Sequence, residues 1–187
     1  MTASTTLDGE RTDLIAELAT ARAALVAAVD GLTDEQAAAT PTVSALSLGG
    51  LVKHVTAVEE NWTRFAVDGP DAVRYDLPEG VTWADLANGT AREYPQWAVD
   101  HQLGFTMLPG ETLAGLLARY EEVAARTDEV VATADLSTTY PLPAAPWHQP
   151  GEVRSIRRVF GHVITETAQH AGHADIIRET LDGKRAG

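Results

Sequence analysis

Four stretches of this chain repeat their apolar residues at steps of three and four, the spacing that gathers them on one face of an α-helix. No stretch alternates apolar and polar residues over enough length to predict a strand. A chain patterned this way has few means of burying its stripes, and packing long helices side by side is the simplest. The first stripe is Leu14, Leu18, Ala21, Leu25, Val29 and Leu32, predicting a helix over Arg11 to Leu32. Thr33-Asp34-Glu35-Gln36 then opens with a capping residue and acids, which predicts a short helical turn ended by Pro41. Ser47 caps a second long helix from Leu48 to about Ala66, with Leu51, Val52, Val55, Val58, Trp62 and Phe65 on its apolar face. From Glu111 a third stripe runs through Leu113, Leu116, Leu117, Tyr120, Val123, Val130 and Val131, and Leu136 to Pro150, with four prolines, ends it. The last helix is predicted over Glu152 to about Leu181, carrying Val153, Ile156, Phe160, Val163, Thr167, Ala171, Ala174, Ile177 and Leu181, with Gly183 just beyond. Between the second and third helices, Val67 to about Pro109 is rich in Gly, Pro, Asp and aromatics without sustained periodicity, and reads as an insertion with one or two short helices. The expected fold is an all-α antiparallel four-helix bundle with long connections, one domain over residues 1–187.

Composition narrows the function classes. The 187 residues carry a formal net charge of −13, which repels nucleic-acid phosphates and anionic lipid surfaces, so neither is an expected partner. No apolar run approaches the ~20 residues of a spanning helix. The start, Met1 to Glu10, is polar and Thr-rich without the pattern of a secretory leader, so the expected location is the cytoplasm. With no cysteine the chain has no disulfide, no thiolate ligand and no cysteine nucleophile, so any thiol chemistry must use a thiol from elsewhere.

The last helix gathers the residues able to do chemistry. His162, Glu166, His170 and His173 fall at about 0°, 40°, 80° and 20° around the helix axis and so share one face. A Glu and a His four residues apart can close on one metal ion, and Glu166 with His170 is the favoured pair. His54 is the candidate third ligand, because it interrupts the apolar run around Leu51, Val52, Val55 and Val58. Two imidazoles and a carboxylate leave an open coordination position, as a catalytic site requires. On spacing alone the alternative stays open, since surface helices often carry scattered Glu and His. His173 reads as a fourth ligand, a hydrogen-bond partner of a ligand or a substrate contact. His162, two turns before His170, is placed to transfer a proton. Arg154, Arg157 and Arg158 cluster at the start of this helix, with Arg158 one step before His162 on the same stripe. They either dock an anionic substrate or cosubstrate or pair with acids such as Glu152. His101 and His148 receive no role, and Trp62, Trp83 and Trp97 read as packing residues.

His54 within Leu51-Val52-Lys53-His54-Val55, and the run Arg157 to Gly183 (RRVFGHVITETAQHAGHADIIRETLDG), resemble the DinB-like superfamily. The resemblance is strongest to the actinobacterial branch related to mycothiol-dependent maleylpyruvate isomerase. A lysine-poor, alanine-rich composition fits that branch, since only Lys53 and Lys184 of the 14 basic residues are lysine. The resemblance covers the second and last long helices closely and Val67 to Pro109 less clearly. It implies a four-helix bundle holding a divalent metal through His54, Glu166 and His170, with zinc first and nickel, iron, manganese or cobalt compatible with the same donors. His173 stands where many relatives have Gln. It also implies a homodimer and a low-molecular-weight thiol cosubstrate, with mycothiol first, activated as a metal-bound thiolate to attack a small electrophile. In that scheme His162 or His173 moves protons, and arginines such as Arg158 hold the anionic part of the cosubstrate or substrate. Thiol-dependent isomerisation, metal-assisted hydrolysis and a metal-binding, stress-associated dimer without turnover are the other expectations.

Overall fold

Capping side chains decide where the long helices of the computed structural model begin. The structure describes residues 8–185, so the polar start as far as Leu7 lies outside the described residues. Asp8 accepts from the backbone of Arg11 at the head of α1 (Gly9–Val29). Thr33 and Gln36 exchange bonds in a capping box at α2 (Asp34–Ala38). Ser47 caps α3 (Leu48–Asp68), and a 3₁₀ turn over Gly69–Ala72 follows it. The connection beyond carries α4 (Trp83–Asn88) and α5 (Gln96–Leu103), the short helices expected there. Thr112 caps α6 (Leu113–Thr133) and Ser155 caps α7 (Ile156–Asp182), which ends at Gly183 with φ +78°.

Two boundaries depart from the sequence reading. α1 stops at Val29 rather than Leu32, because Asp30 leaves helical geometry and Gly31 turns the chain at φ +71°. Val153 to Ser155 is not the first turn of the last helix. It forms β2 (Val153–Ser155), paired antiparallel with β1 (Thr139–Pro141), Tyr140 facing Arg154. A further bond, Leu142 N–H to the Glu152 carbonyl, continues the ribbon. Gly151 at φ +73° precedes it and Ser155 supplies the cap, so α7 starts only at Ile156. Strands of three residues are too short for alternation to show in a sequence.

The fold is an all-α bundle of α1, α3, α6 and α7, with α1 lying along α7 and α3 lying against both α6 and α7. Its apolar interior has two parts. One gathers Leu25, Val29, Leu51, Val52, Val55, Tyr120, Ala174 and Ile177; the other gathers Leu18, Phe65, Val131, Ile156, Val159, Phe160 and Val163. Between them in the sequence of each helix fall buried polar residues: Arg22, Glu59, Thr63, Thr127 and Thr167. Arg22 of α1 donates to both carboxylate oxygens of Glu59 on α3, and to Asp128 of α6 at 2.9 Å. The hydroxyls of Thr63 and Thr127 bond at 2.9 Å. A buried carboxylate so paired fixes three helices in one register, since removing its partner would strand a charge. No helix among the described residues is long and apolar enough to cross a membrane.

Candidate metal centre and its cavity

Helical spacing aims His54 at α7. Its neighbours Leu51, Val52 and Val55 are sealed in the core at 0–1% exposure, which fixes the face of α3 on which the imidazole stands. The ring is 5% exposed, stacks on Phe105 with centroids 3.9 Å apart and meets the ring of His170 edge-on at 4.8 Å. On α7, Thr167, Ala171 and Ala174 face the core, leaving His162, Glu166 and His170 on the adjoining stripe. His170 Nε2 lies 3.7 Å from one oxygen of Glu166, and His162 Nε2 lies 3.9 Å from the other. One donor atom from each of His54, Glu166 and His170 lies within 4.8 Å of the others. Ligand bonds of about 2.1 Å need donors less than about 4.2 Å apart, so a small inward rotation of these side chains would bring the three onto one ion between α3 and α7.

The protonation states suit the same use, because a ligand imidazole must be neutral. Burial, reinforced by the nearby rings of His170 and His101, pushes His54 down to about 4. Burial also lowers His170, helped by His173 and opposed by the Glu166 carboxylate. His162 is lowered by burial first and then by Arg154 and Arg158, with Glu166 opposing. The donor set and its neutral imidazoles therefore fit a divalent metal.

All three candidate ligands open onto a cavity of about 970 Å³. This is large for a single small substrate and roomy enough for two. Its helical side carries His54, Trp62, His162, Glu166 and His170; the opposite side comes from the connections. Tyr75 meets Trp97 and Trp147 edge-to-face at 5.3 and 5.2 Å, and Trp83 backs both tryptophans at 5.6 and 5.3 Å. The indole of Trp97 donates to the Asp76 carbonyl, which holds its ring in place. Phe105 closes on His54 because Gly50 lets the backbone approach, and a Cβ there would stand 2.0 Å from the Phe105 carbonyl oxygen.

Of the candidates taken from the sequence, His54, Glu166 and His170 converge and His162 joins them on the cavity wall. His173 is exposed and does not line the cavity, though its Nδ1 lies 3.4 Å from that of His170. Arg157 pairs with Glu10, and Arg158, with a 62% exposed side chain, pairs with Glu152; neither lines the cavity. The arginine that does is Arg154, on β2. His101 and His148, given no role, line the cavity too, as does Trp147, which the sequence reading passed over. Trp62 is a cavity residue as well as a packing one, lying between Phe65, His162 and Arg154. The usable signal for the connection wall was the aromatic density of Val67 to Pro109, continued by Trp147-His148.

A family model described as mycothiol-S-transferase matches residues 13–183, from within α1 to the glycine that ends α7. No curated protein matches the chain.

Proposed function

The chain belongs to the mycothiol-S-transferase family, and from that premise we propose that it joins the sulfur of mycothiol to a small electrophile in the cavity between α3, α7 and the connections. The observation that carries this reading is the convergence of His54, Glu166 and His170 within 4.8 Å on the wall of that cavity. These three residues hold a divalent ion, zinc first among the candidates, with the cavity side left open to substrate. Such an ion supplies the Lewis acidity that brings a thiol's pKa towards neutrality, which a chain without cysteine needs only for a thiol brought from outside.

The rest falls to the protein's own groups. Phe105 packs on one face of His54 and His101 on its edge, so the imidazole is held on one rotamer and shielded from water. His162 stays neutral near pH 7 because burial lowers it, and so can take the thiol proton as the S–C bond forms. Glu166, 3.9 Å away, favours the charged ring that results. The leaving group departs with its bonding pair, or the adduct takes the proton back from His162. The aromatic wall holds the apolar body of the electrophile.

The test is turnover of a neutral bimane halide or a dinitrophenyl halide with mycothiol, before and after exhaustive chelation. Rate that needs mycothiol, disappears with chelation and returns with one equivalent of zinc is expected. A chelated protein running at full rate, or equal turnover without any thiol, contradicts the proposal.

A further inference from the structure

Among the described residues, Arg154 is the one cavity-lining residue with fully buried side-chain donors that meet no acceptor. Its side chain is 11% exposed, and its guanidinium carbon sits 4.7 Å from the centre of the Trp62 ring. Nη2 lies 3.8 Å from Glu152, but Nε and Nη1 are buried without an acceptor. Glu152 does not balance it, because the same carboxylate oxygen also lies 3.6 Å from Arg158, so one negative charge serves two guanidinium groups. A buried donor without an acceptor costs free energy, and Nη2, beyond hydrogen-bond distance of Glu152, forms with Nη1 or with Nε an edge that a carboxylate fills with two parallel bonds. The contacts lead from there to the candidate metal ligands: Arg154 lies on Trp62, Trp62 meets His162 at 5.1 Å, and His162 reaches Glu166.

We propose that Arg154 binds a carboxylate on the electrophile, and that the site's preferred electrophiles are small aromatic carboxylates. The inference rests on the proposed transfer reaction and names its second substrate. Mycothiol, built from acetylcysteine, glucosamine and inositol, has no carboxylate, so the acid belongs to the other reactant. The aromatic part follows from Trp62, Tyr75, Trp97 and Trp147, whose rings line the same cavity. Guanidinium and indole then bind the two ends of one flat molecule, its reacting carbon turned towards the candidate ligands.

The test pairs acid and neutral ester of one shape. Binding of the unreactive 4-methylbenzoate and of its methyl ester is followed by tryptophan fluorescence. Turnover with mycothiol is then measured for 4-(bromomethyl)benzoate and its methyl ester, each corrected for its uncatalysed rate. Sulfur displaces bromide from the benzylic carbon, bromide leaves with the bonding pair and the thiol proton passes to His162. The protein is expected to favour the acid by roughly ten- to a hundredfold in both binding and kcat/KM, the range of a charge-assisted bidentate contact. Arg154→Met is expected to bring both ratios close to one, and Arg154→Lys, which keeps the charge without the fork, to an intermediate value. A ratio near one in the unaltered protein, or a ratio that survives Arg154→Met, overturns the proposal. Should Arg154→Met not fold, the unaltered protein and Arg154→Lys decide. Tighter binding of the acid with no turnover of either compound keeps the anchor and removes the transfer reaction; equal binding with equal turnover does the reverse.

Discussion

On one side of the cavity His54, His162, Glu166 and His170 stand on two long helices whose other faces are packed in the core; on the other side Tyr75, Trp97, His101, Phe105 and Trp147 stand on connections and short helices. The difference matches the two tasks that the proposed function gives these walls. Donor atoms that must meet at one point need helices in fixed register, and Arg22 supplies it from beneath by tying α1 to Glu59 of α3 and Asp128 of α6. A surface that grips apolar bodies needs area and ring edges, which connections deliver without exact spacing. The walls meet at Phe105, stacked on His54 and seated on Gly50.

The strongest way to break the helical wall is at its brace. Arg22→Met leaves the Glu59 carboxylate, 0% exposed, without its partner and is expected to cost about 3–5 kcal/mol in urea unfolding. Adding Glu59→Met removes the stranded charge and should recover most of that loss. A single variant within ~0.5 kcal/mol of the parent would show that the pair does not set the register.

The joint between the walls comes next. Gly50→Ala sets a methyl against the Phe105 carbonyl, so the connection must move off His54; a cost of about 1–3 kcal/mol is expected, together with weaker metal binding. Unchanged stability and metal affinity would mean that the connection is not held by this approach.

Acid probes the burial of the helical wall without a mutation. His54 titrates near 4 in the fold against an ordinary 6.5, so between those values the unfolded chain binds a proton that the folded one refuses. The contribution is intact above about pH 6.5 and is lost as pH falls towards 4. The melting temperature of chelated protein should fall across that window, and less steeply in His54→Leu. Equal slopes for the two would place the titration elsewhere.

The connection wall should respond most mildly. Trp147 is 56% exposed, so Trp147→Ala is expected to change stability by less than ~1 kcal/mol and to raise KM for an aromatic electrophile about three- to tenfold, with metal content unaltered. Lost metal would show that the two walls are not separable.

The same contrast explains what could be read from the sequence. The convergence of His54, Glu166 and His170 was legible because helical spacing converts sequence distance into direction, and a histidine inside a run such as Leu51 to Val58 marks itself. Arg154 was misplaced in the first turn of the last helix because its three-residue strand leaves no periodic trace, and the neighbouring Arg158 took its part. Trp97, Trp147, His101 and His148 come together from segments about 50 residues apart in sequence, joined by turns whose geometry no local pattern specifies. The Arg22–Glu59 pair was hidden for another reason: a single charge on an amphipathic helix reads as surface until the partner helix is known.

In the proposed function α3 and α7 together hold one metal ion. Elemental analysis of the untagged protein beside His54→Ala and His170→Ala tests it most directly. About one divalent ion per chain, falling below a tenth in both variants while their helical content is kept, is the expected result. Metal retained in both, or none taken up by the unaltered protein after reconstitution, would contradict the account.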